Sequence, residues 1–253
     1  MNSFLKIKFC ILFFLIQSSF LFGEIFWRTA IFSDDNWFYL VPEMEPEENW
    51  NMLGYETSNW TNGQGGFGYG DDDDGTTIDQ TISVYLRKSF NVENIYLFEE
   101  AVLHADYDDG FIAYLNGYEI ARSSNLGTYG EFISYNTPTS ADHEASLYNG
   151  GYPEPFILDS ESLDSLLVYG ENVLALQVHN VGISSSDLSS NFFLSFSFDN
   201  NSSYFRPVPD WFIPPFNFSV SNLPIININT YDQEIISDTR IIAHMGIINN
   251  SNG

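Results

Sequence analysis

Short stretches that alternate apolar and polar residues constrain the fold of this chain more than any other feature. Residues 83–90 and 192–198 follow this two-residue period, and residues 102–107 repeat it. Because successive side chains of a β-strand point to opposite faces, such stretches predict half-buried strands. The dipeptide Asn116-Gly117 lies between two further apolar runs and is a strong signal for a tight hairpin. The chain is therefore predicted to be built from antiparallel strands.

The rest of the chain supports an all-β fold. Residues 172–179 form a nearly continuous apolar run and predict a core strand, whereas residues 163–168 predict only one helical turn before Gly170. Several short strands joined by Gly, Asn and Asp turns predict an antiparallel β-sandwich of the jelly-roll type. Two long connections, residues 54–81 and 123–155, are where binding residues are expected.

The first residues have the layout of a secretory leader. Lys6 and Lys8 precede an apolar run over residues 9–16, and a softer stretch ends at Gly23. The apolar run is shorter than the roughly 20 residues that a membrane span needs, which favours a cleaved signal peptide (residues 1–23) over an anchor. The expected protein is secreted or held at the cell surface, with no membrane segment after cleavage. Its only cysteine, Cys10, would leave with the leader, which excludes disulfides, thiolate metal sites and cysteine catalysis.

The charge of the chain is strongly negative. It carries 8 Lys and Arg against 34 Asp and Glu, a net charge of −26. Loss of the leader would leave 6 basic residues against 34 acidic ones, a net charge of −28. Nucleic acids and anionic lipids would be repelled, whereas divalent cations, neutral sugars and cationic surfaces remain as partners. Adaptation to salty surroundings is an equally good explanation for most of these carboxylates.

Composition divides the mature chain into three parts. Residues 24–200 are the predicted sandwich, and a run of Asn and Ser ends it near residue 200. Residues 201–221 combine four prolines with aromatic residues and predict a stiff linker that cannot join a sheet interior. Residues 222–253 begin with a new strand, but they are too few to bury a core of their own. They are expected to be the truncated start of a second, covalently linked domain.

Four segments of the predicted sandwich resemble one family of modules. They are the glycine- and Asp-rich residues 66–73, the strand at 84–90, the hairpin entry at 108–117 and the strand at 170–179. Together, over residues 50–200, they resemble the galactose-binding-like jelly-roll modules of large secreted bacterial proteins. The hairpin and the last strand also resemble the sugar-binding domain of family 2 glycosidases. The resemblance implies a jelly-roll fold and a non-catalytic role in carbohydrate recognition.

The end of the chain resembles a different family. Residues 221–230, followed by residues 243–248, look like the opening of spore-coat-kinase (CotH-type) domains of secreted proteins. In that family the nucleotide-binding and catalytic residues lie well beyond such a start, and this sequence lacks them. The resemblance implies that any kinase activity would belong to a longer parent protein.

Acidic residues give three candidate metal sites. Asp71 and Asp73 belong to a run of four aspartates that fails the EF-hand spacing, and such a run is also typical of a solvated turn. Asp108 and Asp109 precede a glycine, as in a tight turn, and in flocculin-type adhesins, which this hairpin also resembles, such a pair holds a calcium ion that grips sugar hydroxyls. Asp187 lies in a loop and suits a hard cation.

Aromatic and polar residues give candidate sugar contacts. Trp60 and Tyr69 are predicted ligand-binding residues because an aromatic ring matches the apolar face of a pyranose, and most of the other aromatic residues are expected in the core. His179 and Asn180 leave a core strand and could contact a ligand, although a histidine in this position is more often a packed residue. The aromatic candidates are Trp37, Trp50, Trp60, Tyr55, Tyr69, Tyr129 and Tyr135.

No catalytic constellation stands out. The spacing Gly63-x-Gly65-x-x-Gly68 matches a dinucleotide fingerprint only formally, because aspartates follow it where a helix should begin. The expected function is a non-catalytic carbohydrate-binding or adhesion module, with calcium as a possible cofactor and extracellular or cell-surface carbohydrate as its partner. The alternative is a structural spacer before a CotH-type kinase-like domain.

Overall fold

The computed structural model describes residues 25–70, 74–199 and 204–215, together with the backbone of residues 225–229 and 244–248. The predicted leader (residues 1–23) and the candidate ligands Asp71 and Asp73 lie outside the described residues. In chain order the elements are β1 (Phe26–Ile31), β2 (Asn36–Leu40), β3 (Thr61–Gln64), β4 (Phe67–Gly68), β5 (Thr76–Thr77), β6 (Ser83–Val92), β7 (Glu100–Asp108), β8 (Gly110–Leu115), β9 (Tyr118–Arg122), β10 (Glu154–Asp159), α1 (Ser160–Leu166), β11 (Gly170–His179), β12 (Ser189–Phe198), β13 (Arg206–Pro207), β14 (Ile225–Asn229) and β15 (His244–Ile248).

Two antiparallel sheets form the body of the protein. Sheet I has five strands in the order β10-β7-β12-β1-β13, and sheet II has six in the order β3-β2-β6-β11-β8-β9. From β6 to β12 the chain passes back and forth between the sheets, except for the β8–β9 hairpin, and this alternation is the jelly-roll path. The predicted all-β antiparallel sandwich is confirmed.

The main core lies between the sheets. Leu103 on β7, Leu176 on β11 and Phe196 on β12 are fully buried there. β7 and β12 were predicted from a two-residue period and β11 from a nearly continuous apolar run. Burial of such a side chain stabilises the fold by about 1.5–3 kcal/mol relative to exposure.

The outer face of sheet II is covered by a second apolar layer. Trp50, Trp60, Tyr85 and Ala175 form one buried cluster there, and Leu126 belongs to a neighbouring cluster with Ile112 and Ile133. This layer explains why β11 is buried along both of its faces from Val173 to His179. An uninterrupted apolar run is expected for a strand covered on both sides.

The outer face of sheet I is also covered, so β7 and β12 are buried on both faces and not half-buried as their two-residue period predicted. Residues 204–215 cross it as a strap in which β13 pairs with β1, and Trp211 lies with its ring centroid 5.1 Å from that of His104 and 4.9 Å from that of Phe193. Arg206 adds a salt bridge to Asp35, with 2.5 Å between Nη2 and Oδ2. Part of the predicted linker therefore packs on the sandwich, at its edge and not in a sheet interior.

Several local predictions can be compared with the structure. The hairpin at Asn116-Gly117 joins β8 and β9, and Asn116 takes a positive φ of 53°, which suits asparagine in a primed turn. The predicted helical turn at 163–168 is part of α1, which begins three residues earlier and has seven residues, about two turns. The connection at 54–81 contains the short strands β3, β4 and β5, which its glycine-rich composition concealed. The strand predicted after residue 222 is β14, which pairs with β15.

Among the residues that the structure describes, no helix has the length and apolar character that a membrane crossing requires.

Candidate cation and ligand site

Three carboxylates from distant parts of the chain converge at one end of the sandwich. Asp108, Glu144 and Asp187 each place a carboxylate oxygen so that all three atoms lie within 4.8 Å of one another. Asp108 is buried, Asp187 is partly buried and Glu144 is exposed. The group, called the carboxylate group below, therefore runs from the interior to the surface.

Strand pairing places Asp108 beside Asp187. Asp108 is the last residue of β7, and it lies opposite Ser189, which begins β12. Asp187 precedes β12 by two residues, and an isolated bridge between Leu188 and Tyr69 holds this stretch in place. A Cβ at Gly68 would collide with the carbonyl oxygen of Leu188, so this close approach requires glycine.

Asp109 fastens the loops around the carboxylate group. Its Oδ1 accepts a hydrogen bond from the backbone N–H of His143 (2.8 Å), and its Oδ2 accepts one from Val181 (2.6 Å). The first bond positions Glu144, the next residue of the long 123–155 connection. The peptide bond between Asp108 and Asp109 is cis. Both oxygens of Asp109 thus accept hydrogen bonds from the backbone, whereas the side chain of Asp108 belongs to the carboxylate group with Glu144 and Asp187.

Asn180 connects Tyr69 with the backbone of Asp187 through hydrogen bonds. Asn180 is fully buried, and its Nδ2 donates to the Tyr69 hydroxyl (2.9 Å) and to the carbonyl oxygen of Asp187 (2.8 Å). Burial and the charges of Asp108 and Asp187 raise the pKa of Tyr69 above its ordinary value. The Tyr69 hydroxyl is therefore protonated and lies near two of the three carboxylates.

His179 is packed beneath a loop. It is fully buried, and its Nδ1 donates to the carbonyl oxygen of Thr137 at 2.7 Å. Burial lowers its pKa to about 4, which keeps the ring neutral at physiological pH. Its backbone carbonyl accepts from the N–H of Asp109 at 3.1 Å. The geometry therefore gives His179 a packing contact and a backbone link to the site.

Asp108 is electrostatically strained by its surroundings. Burial, followed by repulsion from the neighbouring carboxylates with Asp109 foremost, raises the pKa of Asp108 to about 8. Like charges at this distance oppose each other's ionisation, and a cation between them would reverse that effect. The local charge therefore favours either a proton or a metal ion.

A polar cleft of about 440 Å³ adjoins the carboxylate group. The polar cleft is lined by Ala105, Asp106, Tyr107, Arg122, Ser123, Ser124, His143, Glu144, Ser146, Tyr152 and Glu154. Its floor is stiff: the His143 ring stacks on Tyr107 at 4.1 Å, and the Tyr107 hydroxyl donates to Glu154 at 2.8 Å. Asp106 holds the loop above by accepting from the N–H groups of Ser146 (2.6 Å) and Leu147 (3.1 Å).

Trp60 lies apart from these residues. It belongs to the cover layer of sheet II, where its ring stacks against Trp50 at 6.2 Å, and it is buried. The structure thus brings together Tyr69, Asp108, Asp109, Asn180 and Asp187 and does not bring Trp60 to them. As expected, most aromatic candidates are packed, and Tyr129 is the exposed one among them, at 75%.

Glu144 is the residue that sequence reasoning missed. It sits in a 33-residue connection among other acidic and polar residues, and its position depends on the hydrogen bond from His143 to Asp109. No sequence motif links Asp108 with Glu144, so this contact could not be predicted from the sequence. Only the neighbouring His143, one of the chain's four histidines, marks the segment as unusual.

Comparisons with known proteins concern the fold. No family model matches the chain, and no curated protein matches it. Among solved structures, a beta-glucuronidase from an uncultured Clostridium sp. has a TM-score of 0.43 and 16% identity over 90% of this chain and 34% of its own. A family 2 glycosyl hydrolase from Bacteroides cellulosilyticus has a TM-score of 0.40 and 15% identity over 66% of this chain and 20% of its own. A calcium binding mutant of Bacteroides uniformis beta-glucuronidase 2 has a TM-score of 0.41 and 14% identity over 68% of this chain and 18% of its own.

These are distant likenesses. The chain spans from about a fifth to a third of the length of these glycosidases. No activity or ligand follows from them. The resemblance of residues 221–253 to CotH-type domains stays a prediction.

Proposed function

We propose that this sandwich is a carbohydrate-binding or adhesion module of a secreted protein, supported by calcium at the carboxylate group. The observation that carries the proposal is the position of Glu144, which belongs both to the carboxylate group and to the lining of the polar cleft. A cation held there would lie at the edge of a cleft large enough for a sugar. The leader predicted at residues 1–23 supports an extracellular location, where calcium is abundant.

The donor atoms fit calcium. Calcium binds six to eight oxygen ligands at about 2.3–2.6 Å, so two ligands on opposite sides of the ion lie about 4.6–5.2 Å apart. The oxygens of Asp108, Glu144 and Asp187 lie within 4.8 Å of one another, which suits one shared ion. Magnesium, at about 2.0–2.1 Å, would need a tighter and more regular arrangement. These three residues would hold the ion, and Asp109 and Asn180 would position them.

The polar cleft fits a neutral sugar. Carboxylate, hydroxyl and imidazole groups line it, and the Tyr152 ring is 63% exposed at its border. Sugar hydroxyls both donate and accept hydrogen bonds, and an exposed aromatic ring can lie against a pyranose face. A bound calcium ion would add positive charge that attracts hydroxyl oxygens. The role proposed for the side chains is binding, because no acid and nucleophile pair stands out among them.

Calcium binding is tested by thermal unfolding in EDTA and in millimolar calcium. A ligand present at about 100 times its dissociation constant stabilises the folded state by about 2.7 kcal/mol, which corresponds to a rise of about 5–11 °C for a domain of this size. Asp187→Asn should abolish most of this rise. The matched control is Asp164→Asn on the exposed surface of α1, which should keep it. An unchanged midpoint in the unaltered protein would rule out the calcium part of the proposal.

Carbohydrate binding is tested on a glycan array of neutral polysaccharides and oligosaccharides, with and without calcium. Calcium-dependent binding that Asp187→Asn removes is the expected result. A blank array in calcium would contradict the binding function and leave the spacer alternative. Release of monosaccharide from any bound glycan would contradict the non-catalytic role.

A further inference from the structure

A second cleft lies beside the polar cleft and shares one lining residue, Tyr152, with it. This apolar cleft, of about 380 Å³, is bounded on one side by His104 of β7 and Ile157 of β10 and on the other by Trp211 and Ile213 of the strap. Four prolines and Tyr152 complete its lining. Its volume is within the range of about 300–1,000 Å³ that is usual for small-molecule sites.

The lining is uncharged and contains one polar side chain without a partner. Of the described residues that line the apolar cleft, none is a Lys, Arg, Asp or Glu. The His104 side chain is only 4% exposed, and its Nδ1 has no hydrogen-bond partner among the described residues. Buried polar atoms are usually paired, so the unpaired Nδ1 leaves His104 with unused hydrogen-bonding capacity beside the cleft. A ligand here should be neutral and largely apolar.

Tyr152 joins the two clefts. It lines both of them, so the apolar cleft continues from the polar cleft across one exposed aromatic ring. A ligand that filled both would need a hydroxyl-rich half on the side of Glu144 and an apolar half on the side of Trp211. Glycosides with an aromatic group at the reducing end have this two-part character.

We propose that the apolar cleft binds the apolar group of a neutral aryl glycoside whose sugar occupies the polar cleft. This inference rests on the proposed function, because it assigns the second half of the same ligand. Uronic acids are disfavoured, since Asp106 and Glu154 line the sugar half. Arg122, which also lines it, is already paired with Glu119 at 2.8 Å. In the apolar cleft, the flat ring of the aryl group would make an apolar contact with Trp211.

The experiment measures binding of matched pairs of glycosides by calorimetry in calcium. Methyl and p-nitrophenyl glycosides of glucose, galactose, mannose and N-acetylglucosamine are compared with the unaltered protein. For any sugar that binds, the p-nitrophenyl glycoside should bind at least about tenfold more tightly, which corresponds to about 1.4 kcal/mol.

A variant that fills the apolar cleft separates the two halves. Ile157 is 56% exposed, so Ile157→Trp should fold while its larger side chain occupies the cleft. It should lower the ratio of p-nitrophenyl to methyl glycoside affinity toward one and leave the methyl glycoside affinity unchanged. The control is Met44→Trp, because Met44 is 74% exposed and outside both clefts, and it should keep the preference.

The outcomes distinguish this inference from the proposed function. If methyl and p-nitrophenyl glycosides bind equally, the inference is overturned and the carbohydrate-binding function stands. If Ile157→Trp keeps the preference, or weakens both glycosides alike, the assignment to the apolar cleft is overturned. If no glycoside of either kind binds and the glycan array is blank, both proposals fail together.

Discussion

The two outer faces of the sandwich differ in how they are covered. On sheet II, the connections before β3 and after β9 lay an apolar layer over the central strands, with Trp50 and Tyr85 buried in it, and a small cleft beside Arg87 remains at its border. On sheet I, the strap packs on β7 and β12, and the apolar cleft remains between the strap and β10. Both faces are covered over their central strands, sheet II by an apolar layer from two connections and sheet I by a single strap that borders a larger cleft.

This difference shows how two tryptophans in connecting segments come to lie in different surroundings. Trp60 and Trp211 are both tryptophans in connecting segments, and neither has a sequence context that reveals its neighbours. Trp60 is buried in the apolar layer, whereas Trp211 is partly buried and lines a cleft. Whether such a tryptophan lies in the core or lines a cleft depends on how completely other segments cover it. That cover depends on packing between segments that are distant in the sequence.

A tryptophan pair tests this comparison with the largest expected effect. Trp50→Ala should lower the free energy of unfolding by about 3–5 kcal/mol, because it leaves a cavity in the apolar layer against Tyr85. Trp211→Ala should cost clearly less, since Trp211 is only partly buried and lines an open cleft. Urea unfolding of both variants measures the difference. Equal losses would show that the strap is as tightly packed as the layer on sheet II.

A smaller effect is expected at the loop that bounds the polar cleft. Asp106 is buried, and its Oδ1 accepts hydrogen bonds from two backbone N–H groups of residues 146–147. Asp106→Ala should destabilise the fold by about 1–3 kcal/mol, because buried donors lose their acceptor. Hydrogen exchange should show faster opening at Ser146 and Leu147, and the exposed Asp164→Ala serves as the control. Unchanged exchange at those two amides would contradict the role given to Asp106.

The third effect depends on pH and concerns His104. Burial lowers the pKa of His104 to about 4, below its ordinary value of 6.5. Between these pH values the unfolded chain binds more protons than the folded one, so His104 costs stability as the pH falls from 6.5 toward 4, by at most about 1.4 kcal/mol per pH unit. His104→Phe should match the unaltered protein at pH 7.5 and be the more stable of the two at pH 4.5.

The comparison is made between the two proteins at each pH, because His179 and the many carboxylates titrate in both. If the free energies of unfolding of the two proteins changed equally with pH, the His104 ring would have to be open to solvent on the strap side.

The sequence was sufficient for the fold because the relevant signals are local. The two-residue period predicted β6, β7 and β12, and Asn116-Gly117 predicted the hairpin. The strands β3, β4 and β5 were missed because they are two to four residues long and rich in glycine, so no period could develop. Element boundaries such as that of α1 depend on capping by Asp159, whose side chain accepts from the N–H of Ser162 at 2.9 Å.

The site could be predicted only in part, for the opposite reason. Asp108 and Asp187 attract notice as acids in loops beside strands, and strand pairing then brings them together. The division of labour between Asp108 and Asp109 depends on which carboxylate meets the backbone N–H groups of His143 and Val181, and that depends on two separate loops. The metal and ligand roles of the chosen residues, and the identity of the ion, stay predictions that the experiments above address.

The prolines at the borders of sheet I have a consequence for how the protein tolerates crowding. The outermost strands of that sheet are β10 and β13, and they contain Pro155 and Pro207. Proline has no N–H to offer, so neither border presents an unbroken row of donors that a strand from another molecule could extend. Many copies could therefore stand side by side on a surface without merging into shared sheets, which is the situation that an adhesive coat would impose.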